Sequence, residues 1–464
     1  MPDRQLNFFK LREKYPEFVY EEHSISTSSE GLKVQYLFSC GPELVFKPSV
    51  VFRNCRSLSG LSSDTLDILV FHAGMVELIS YWKATCSPLI KIKPYKFSLQ
   101  QENWWKKLFV YGLGEFFYSN GLNSPGNEIF DFKYSDTSKE FKTFESEGFS
   151  DGVLVPVGGG KDSVVTLEIL KRNSFPIIPL VINHREATRS VLKVAGFDDS
   201  NSIEISRYLD PLLLEINQKG FLNGHTPFSA LLAFYSLIAA RLSGIKYIAL
   251  SNESSANEPT IPGTNINHQY SKSFEFENDF RNYVRAFLIS NIDYFSFLRP
   301  LNELQIGKLF SKFTEYHPFF KSCNVGSKTD SWCCNCPKCL FTCIMLSPYL
   351  SEKQLVDIFG TNLWENPALI PFLEQLSGFS RNKPFECVGT IDEVNAAMRH
   401  ILASNQSPPL PVLFQRYLEI DKEKNNDAFI AFNSHLNSFH TPHFLNQHFE
   451  NILKKELGMV NQKA

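Results

Sequence analysis

The sequence predicts an α/β protein whose central part is a doubly wound parallel sheet. An α+β domain precedes this sheet, and a mostly helical region follows it. Short apolar runs typical of buried strands alternate with helical patterns between about residues 151 and 345. The chain has 464 residues, of which 43% are hydrophobic, so it can build more than one core. We therefore divide it into residues 1–150, 151–345 and 346–464.

The first region carries a hairpin pattern followed by helical patterns. Residues 23–39 alternate strand-like side chains around a Ser-Glu-Gly turn, which predicts the hairpin. Residues 42–53 form a further strand candidate, and Pro48 within it predicts a position at the edge of a sheet. Two amphipathic helices should follow, one capped by Asp64 and one over residues 102–121.

The middle region alternates strand and helix patterns regularly. Such alternation predicts parallel strands, and ligands of these sheets bind at the carboxyl ends of the strands. Beyond about residue 346 the pattern is helical, with breaks at residues 382–392 and 407–412. The predicted strands and helices of the middle region are, in order, 152–157, 162–173, 175–183, 185–196, 201–209, 227–244 and 245–252.

The composition indicates which partners and which cellular compartment to expect. The net charge is -3 and no run of Lys or Arg is present, so a nucleic-acid partner is not expected. The start of the chain lacks the apolar segment of a signal peptide, and the apolar run at 230–240 is too short to span a membrane. Five of the ten cysteines crowd into residues 333–343, as in a site rather than a disulfide framework. We expect a cytoplasmic protein without a membrane partner, and composition predicts no oligomeric state.

A glycine loop separates the first strand and helix of the middle region. Gly158, Gly159 and Gly160 allow backbone amides to close around phosphate oxygens at a helix N-terminus. A Walker A loop would need glycine at Val155 and Ser or Thr at Asp162, and both are absent. The loop instead resembles the PP-loop of the ATP pyrophosphatase superfamily, with glycine in place of its first serine.

This resemblance implies an adenine nucleotide alpha hydrolase-like fold and a particular cleavage of ATP. In that superfamily the loop grips the β,γ-pyrophosphate and the aspartate, here Asp162, helps to hold Mg²⁺. Attack falls on the α-phosphorus, so AMP and pyrophosphate are the products. The residues implied to bind the nucleotide are Gly158, Gly159, Gly160, Lys161, Asp162 and Ser163 in the loop, and Val181, Ile182, Asn183 and Arg185 after the next strand.

A cysteine cluster predicts a metal site. Four of these cysteines are spaced so that their thiolates can converge on one tetrahedral Zn²⁺ at about 2.3 Å. Four thiolates complete the coordination shell of the ion, which suits a structural role. The pattern resembles the four-cysteine zinc site of 7-cyano-7-deazaguanine synthase. Cys334 and Cys343 are spare thiols, so an iron–sulfur cluster or a set of reduced thiols remains an alternative. The predicted zinc ligands are Cys323, Cys333, Cys336 and Cys339.

Several polar side chains are candidates for catalysis. A segment dense in polar groups begins at the carboxyl end of a predicted strand, at residue 251, where a doubly wound sheet binds its ligand. Cys387 follows Glu386 in a predicted loop and would serve as an acid or base if its pKa were lowered. His72 is a further candidate, although a lone histidine on an apolar helix face is more often a core residue. The candidate set is Lys161, Asp162, Glu253, His268, Lys272 and Cys387.

Taken together, six segments resemble the UDP-N-acetylmuramoyl-L-alanyl-L-glutamate epimerases (MurL family) of peptidoglycan synthesis. The resemblance implies ATP-dependent conversion of the terminal L-glutamate of UDP-MurNAc-L-Ala-L-Glu to D-glutamate. Adenylation of the carboxylate would remove the charge that opposes carbanion formation, and water would then release AMP. The alternative is a PP-loop ligase, or an enzyme that modifies tRNA or a nucleobase, in which ammonia or sulfide attacks the adenylated substrate. The six segments are 71–88, 104–115, 155–163, 267–277, 322–341 and 383–389.

Overall fold

The computed structural model describes residues 2–55, 63–122, 126–141, 149–404, 409–421 and 428–459. In these ranges one 11-stranded sheet runs through the chain. Its strands are β1 (Glu17–Ser28), β2 (Gly31–Cys40), β3 (Leu44–Phe46), β4 (Ser49–Arg53), β5 (Leu89–Ile92), β6 (Asp131–Tyr134), β7 (Ser150–Pro156), β8 (Ile177–Ile182), β9 (Ile203–Tyr208), β10 (Ile245–Leu250) and β11 (Asp293–Ser296).

Helices cover both faces of the sheet and form the regular secondary structure of the described chain after β11. Within the described ranges they are α1 (Pro2–Lys14), α2 (Ser63–Trp82), α3 (Leu99–Gly112), α4 (Gly114–Ser119), α5 (Lys161–Arg172), α6 (Glu186–Ala195), α7 (Pro211–Gln218), α8 (Phe228–Ser243), α9 (Phe274–Phe287), α10 (Glu303–Phe310), α11 (Pro337–Leu346), α12 (Glu352–Phe359), α13 (Ile370–Leu376), α14 (Ile391–Ser404), α15 (Val412–Ile420), α16 (Ala428–Leu436) and α17 (Gln447–Glu456). The mixed α/β prediction, with a large central sheet and many helices, is confirmed.

The strand order is β11-β10-β7-β8-β9-β4-β2-β1-β5-β6, and β3 pairs with β2 beside this path. From β11 to β9 all neighbours are parallel. The chain continues from β7 to β8 and β9 in one direction, whereas β10 and β11 lie on the other side of β7. The order of the strands along the chain therefore changes direction between β7 and β10. Parallel sheets of this kind bind their ligands at such a point.

The two faces of the parallel strands enter two different cores. Along β7, Leu154 packs into a core with α2 and α8, while Val153 and Val155 pack into a core with α5 and α10. This alternation follows the two-residue period of a strand. The buried residues of α8 include all of the apolar run at 230–240 except Leu232, so the predicted buried helix is confirmed. No helix in the described ranges combines the length and apolar character needed to span a bilayer.

The strand β4 corrects the edge prediction for residues 42–53. It is an interior strand, antiparallel to both β2 and β9. Pro48 falls between β3 and β4, so its missing N–H interrupts no ladder of hydrogen bonds. As a result β4 joins the hairpin of β1 and β2, which is confirmed, to the parallel strands. The sheet thus continues across residue 150, and the proposed domain boundaries stay predictions.

Other boundaries differ from the sequence patterns. The helix predicted over residues 102–121 is two helices, because Leu113 leaves the helical conformation at φ -103° and ψ 14°. The first of them begins earlier, behind a capping box of Ser98 and Gln101. Asp64 lies inside the first turn of α2, and the position before that helix is outside the described residues. Three short strands, β5, β6 and β11, have no counterpart in the predictions.

The third region agrees with its predicted pattern. Six of the described helices, α12 to α17, follow residue 346. The chain is irregular between α13 and α14, which includes most of the predicted break at residues 382–392. The second predicted break, at 407–412, falls partly on residues outside the described ranges, and α15 begins at its last residue.

Candidate functional site

The glycine loop lies between β7 and α5 and is tightly packed on one side. Gly159 has φ +84°, and a Cβ there would lie 3.1 Å from the hydroxyl of Thr188. A Cβ on Gly160 would lie 2.8 Å from the Oγ of Ser322. In contrast, a Cβ on Gly158 would have no neighbour within 4 Å. Residues of α6 and residues 321–322 therefore pack against the loop at its second and third glycines. The space beside the first glycine is open.

A cavity of about 190 Å³ opens beside this first glycine. Four of the residues predicted to bind nucleotide line it, and Val181 does not, because it packs into the core behind the sheet. Asn183 has φ +49°, and its Oδ1 accepts a hydrogen bond from the Arg207 N–H at 2.7 Å. The lining residues are Pro156, Val157, Gly158, Leu180, Ile182, Asn183, Arg185, Thr188, Phe228 and Leu232.

Three carboxylates meet at the carboxyl ends of three neighbouring strands. Asp162 follows β7, Glu253 follows β10 and Glu303 follows β11, and one oxygen of each lies within 4.8 Å of the others. The ammonium of Lys161 forms ion pairs with both Asp162 and Glu303. Sequence reasoning missed Glu303 because β11, the strand that places it, has only four residues.

The charges of this carboxylate cluster are unequal. Burial raises the pKa of Glu303 to about 8, with Lys161 opposing and Asp162 adding to the rise. Burial and then Asp162 also raise the pKa of Glu253. For Asp162, burial raises the pKa, but Lys161 and Lys338 outweigh it and the pKa is lowered. Crowded carboxylates of this kind favour a bound cation, and oxygen ligands suit Mg²⁺.

A thiol forms the centre of a second cluster. The Nζ of Lys272 donates a hydrogen bond to the Sγ of Cys387 at 3.2 Å, and the imidazole of His268 interacts with this thiol. Burial raises the pKa of Cys387, but Lys272, His268 and Lys338 outweigh it and bring the pKa down to about 5. At neutral pH Cys387 is therefore a thiolate.

His268 is charged for a related reason. Its Nδ1 lies 2.5 Å from the Oε2 of Glu115, a residue of α4. Burial lowers the pKa of His268, but Cys387 and Glu115 outweigh it and raise the pKa to about 9. Sequence reasoning missed Glu115, because α4 lies far from the middle region along the chain. A thiolate and an imidazolium therefore face each other.

Lys272 joins the two clusters. Burial lowers its pKa, but Cys387, Glu253 and Asp162 outweigh this effect and raise it. The ammonium is thus close to the carboxylates on one side and to the thiolate on the other. The structure brings together all six candidates for catalysis: Lys161, Asp162, Glu253, His268, Lys272 and Cys387.

His72, the seventh candidate, lies elsewhere. Its Nδ1 is 2.8 Å from the carbonyl of Ile68, and its Nε2 is 2.9 Å from the hydroxyl of Tyr283. The side chain is fully buried among aromatic rings, and burial lowers its pKa to about 3. This environment is that of a neutral core histidine with both ring nitrogens satisfied.

A buried arginine hydrogen-bonds to the backbone of a residue in each cluster. Arg299 is 1% exposed, and its Nη1 donates to the carbonyl of Glu253 at 2.6 Å. Its Nη2 donates to the carbonyl of Lys272 at 2.5 Å and to the carboxylate of Glu277 at 2.9 Å. Arg299 therefore positions Glu253 and Lys272 without its own guanidinium entering either cluster.

We expect Arg299→Met to lower the free energy of unfolding by about 3–5 kcal/mol, because it leaves Glu277 buried without its cation. Urea denaturation measures the loss. The control is Arg416→Met, since Arg416 pairs with Glu374 and Glu419 at the surface, where such ion pairs contribute little to stability. Equal losses in the two variants would show that Arg299 has no special role.

The four predicted zinc ligands come together in a separate group. The Sγ distances are 3.8 Å for Cys323 to Cys336, 3.8 Å for Cys333 to Cys339 and 3.5 Å for Cys336 to Cys339. A tetrahedral zinc with bonds of 2.3 Å would require about 3.8 Å between sulfurs, so the four thiols fit the ion. Cys334 instead directs its thiol to the carbonyl of Phe359 at 3.2 Å.

The cysteine group borders the rest of the site. Just before Cys323, Lys321 donates its backbone N–H to the carbonyl of Gly159 at 3.0 Å. Between Cys336 and Cys339, Lys338 donates from its ammonium to the backbone carbonyl of Cys387. A metal at the cysteines would therefore hold both the glycine loop and Lys338 in place. Lys338 was also missed, although it lies between two of the predicted zinc ligands.

Comparisons with known proteins match most of the chain. A model described as the MurL N-terminal domain matches residues 10–297, and one described as the MurL C-terminal domain matches residues 319–429. A protein of Xanthomonas oryzae pv. oryzae (strain MAFF 311018) named UDP-N-acetyl-alpha-D-muramoyl-L-alanyl-L-glutamate epimerase is 33% identical over 420 residues. This alignment covers 86% of the chain and 90% of the relative.

Two further relatives carry the same name. The one from Salinispora tropica (strain ATCC BAA-916 / DSM 44818 / JCM 13857 / NBRC 105044 / CNB-440) is 36% identical over 251 residues, which is 53% of this chain and 54% of the relative. The one from Micromonospora sp. (strain ATCC 39149 / NRRL 15099 / SCC 1413) is 34% identical over 266 residues, which is 56% of this chain and 59% of the relative. The matched regions contain the glycine loop, Glu253, the second cluster and the cysteine group, whereas Glu303 falls between them.

Proposed function

The chain belongs to the MurL family of UDP-N-acetyl-alpha-D-muramoyl-L-alanyl-L-glutamate epimerases, and from this premise we propose that it inverts the terminal L-glutamate of UDP-MurNAc-L-Ala-L-Glu. The reaction consumes ATP, releases AMP and pyrophosphate, and serves peptidoglycan precursor synthesis in the cytoplasm. One observation supports this reaction most directly. Lys272 joins a carboxylate cluster suited to Mg²⁺ and nucleotide to a thiolate suited to proton transfer.

The nucleotide site supports this proposal. We assign the parallel half of the sheet to the PP-loop, adenine nucleotide alpha hydrolase-like type, because the glycine loop ends β7 and begins α5 at the point where the connection reverses. The amides at the start of α5 and the ammonium of Lys161 attract phosphate. The cavity that Gly158, Asn183 and Arg185 line lies next to the loop and is the candidate site for the rest of ATP.

The metal sites follow from the donor atoms. Asp162, Glu253 and Glu303 would hold Mg²⁺, which supplies neutralisation of phosphate charge when bound. The four cysteines would hold a structural Zn²⁺, because four thiolates close its shell.

The reaction begins with activation of the α-carboxylate of glutamate. A carboxylate oxygen attacks the α-phosphorus of ATP, pyrophosphate leaves, and the acyl-adenylate carries no negative charge beside the α-carbon. Each unit by which the pKa of the α-proton falls reduces the cost of deprotonation by about 1.4 kcal/mol. After the proton has been returned on the other face, water attacks the acyl carbon and AMP departs with the bridging oxygen.

The test is conversion of UDP-MurNAc-L-Ala-L-Glu by the purified protein with ATP and Mg²⁺, followed by chiral analysis of the glutamate. We expect D-glutamate together with AMP. The β,γ-methylene analogue of ATP should support the reaction and release methylenediphosphonate, whereas the α,β-methylene analogue should not, because its bond between the α-phosphorus and the leaving group cannot be cleaved. Unchanged L-glutamate from folded protein would refute the epimerase. Deuterium at the α-carbon in heavy water separates epimerisation from ligase chemistry, which leaves that carbon untouched.

A further inference from the structure

Glu115, His268 and Cys387 form a chain of three interacting side chains. They come from α4, from the polar segment after β10 and from the loop between α13 and α14. The carboxylate of Glu115 lies 2.5 Å from the Nδ1 of His268, and the imidazole of His268 in turn interacts with the thiol of Cys387. A carboxylate that orients a histidine beside a nucleophilic or basic side chain is a recurrent catalytic arrangement.

We propose that the Cys387 thiolate removes the α-proton of the adenylated glutamate, that His268 supplies the returning proton, and that Glu115 positions His268. The proposal rests on the proposed function and assigns the proton-transfer groups within it. Cys387 and His268 are then catalytic residues, whereas Glu115 acts through His268. The deciding geometry is the place of Cys387 Sγ, which is 3.2 Å from the ammonium that also borders the carboxylate cluster.

The proton balance is complete with these groups. The Cα–H bond breaks, an S–H bond forms on Cys387, and the electron pair moves to the carbonyl oxygen of the adenylate. The imidazolium of His268 then gives its proton to Cα, and the thiol protonates the imidazole to restore the ion pair. Because the returning proton comes from a second group, it can reach the opposite face of the planar carbon. No oxidant or further reactant is required.

Neighbouring charges favour the starting ion pair. Cys387 faces the cations Lys272 and Lys338, and Glu386 lies beside it in the loop. His268 faces Glu115, the imidazole of His225 and Glu386. Lys83, which follows α2, contacts the backbone carbonyl of His225. His225 stays neutral because burial and the charge of His268 lower its pKa to about 3. The titratable neighbours of Cys387 and His268 are thus Glu115, His225, Lys272, Lys338 and Glu386. Lys83 contacts His225.

The pH dependence of epimerisation should reflect both groups. Activity requires the thiolate and the imidazolium, so we expect a bell-shaped profile with limbs near the pKa values of about 5 for Cys387 and about 9 for His268. Glu115→Gln removes the anion that raises the pKa of His268, so the alkaline limb should move to lower pH. A merely structural role would scale the rate without moving a limb.

The decisive experiment compares two steps in Cys387→Ser. Substrate-dependent exchange of labelled pyrophosphate into ATP reports adenylation, and deuterium uptake at the α-carbon reports proton transfer. We expect the variant to keep the exchange and to lose deuterium uptake by at least about 100-fold, the usual contribution of a general base. Cys55→Ser, which changes a part-buried thiol in the N-terminal part of the chain, is the control and should retain both.

Other outcomes are equally informative. Deuterium uptake that survives in Cys387→Ser would overturn the assignment, as would joint loss of exchange and uptake in folded protein. Substrate found covalently on Cys387 after acid quenching of the unmodified enzyme would mean a thioester nucleophile rather than a base, and would also overturn it. Failure of the proposed function is distinct, because the unmodified protein itself would then show no substrate-dependent exchange. If Cys387→Ser does not fold, an unmoved alkaline limb in Glu115→Gln contradicts the proposal.

Discussion

Asp162→Asn should reduce substrate-dependent release of pyrophosphate by about 100- to 1000-fold, the size of effect seen when one charge-stabilising group is removed. Asp162 supplies one of three clustered carboxylates and pairs with Lys161. Without its charge, the cluster binds Mg²⁺ less well and Lys161 is left to Glu303 alone. Pyrophosphate release at saturating ATP and substrate measures the loss, and the Mg²⁺ concentration for half-maximal rate should rise.

A matched control lies on the strand before the loop. Asp151 belongs to β7, and its side chain is 86% exposed and 3.9 Å from Lys246. Asp151→Asn makes the same chemical change outside the cluster and should leave the rate and the Mg²⁺ requirement unchanged. Near-normal pyrophosphate release by Asp162→Asn would show that the loop has a role other than activating a carboxylate with ATP.

The second large effect is expected at the cysteine group. Cys339→Ser should lose the bound zinc and lower the melting temperature, because the free energy of binding structural zinc, about 10 kcal/mol or more in isolated zinc peptides, contributes to folding. Cys339 is fully buried, and its Sγ lies near those of Cys333 and Cys336. Elemental analysis of the purified protein and its variant measures the metal, and calorimetry measures the stability.

Cys343→Ser is the control for this change. Cys343 lies on the same helix, α11, and is also buried, but its thiol is directed to the hydroxyl of Ser347 at 3.9 Å. We expect this variant to keep the zinc. Iron with visible absorption, instead of zinc, would identify an iron–sulfur cluster, and protein free of metal would contradict the proposed zinc site.

The loss of zinc should also affect the reaction. Lys338 lies between Cys336 and Cys339 and reaches the backbone carbonyl of Cys387, while Lys321, near Cys323, holds the carbonyl of Gly159. Both contacts depend on the local chain path that the cysteines set. A structural metal can therefore be needed for catalysis without an open coordination position.

Local sequence patterns were sufficient for much of the fold. The apolar runs of β7 and β8, the helix α5 and the hairpin of β1 and β2 were predictable because a two- or 3.6-residue period survives in the sequence itself. The position of β4 was not predictable. Its interior place depends on pairing with β9, a contact between residues about 150 positions apart, whereas Pro48 carried only local information.

The candidate site was predictable where a motif held it together. Lys161 and Asp162 follow from the glycine loop, and the four cysteines follow from their spacing. Glu115 and Glu303 were missed because each stands on an element with an unremarkable local pattern, and only the tertiary fold brings them to His268 and Lys161. Their role depends on neighbours that local sequence does not contain.

The central claim is that the α-carboxylate of the terminal glutamate becomes an acyl-adenylate, and oxygen labelling tests it most directly. The substrate is prepared with ¹⁸O in that carboxylate and converted by the enzyme with ATP and Mg²⁺. We predict that one ¹⁸O appears in the phosphate of AMP for each glutamate processed, because the attacking oxygen leaves with AMP when water cleaves the acyl carbon. AMP without the label, or ADP as the nucleotide product, would contradict the account.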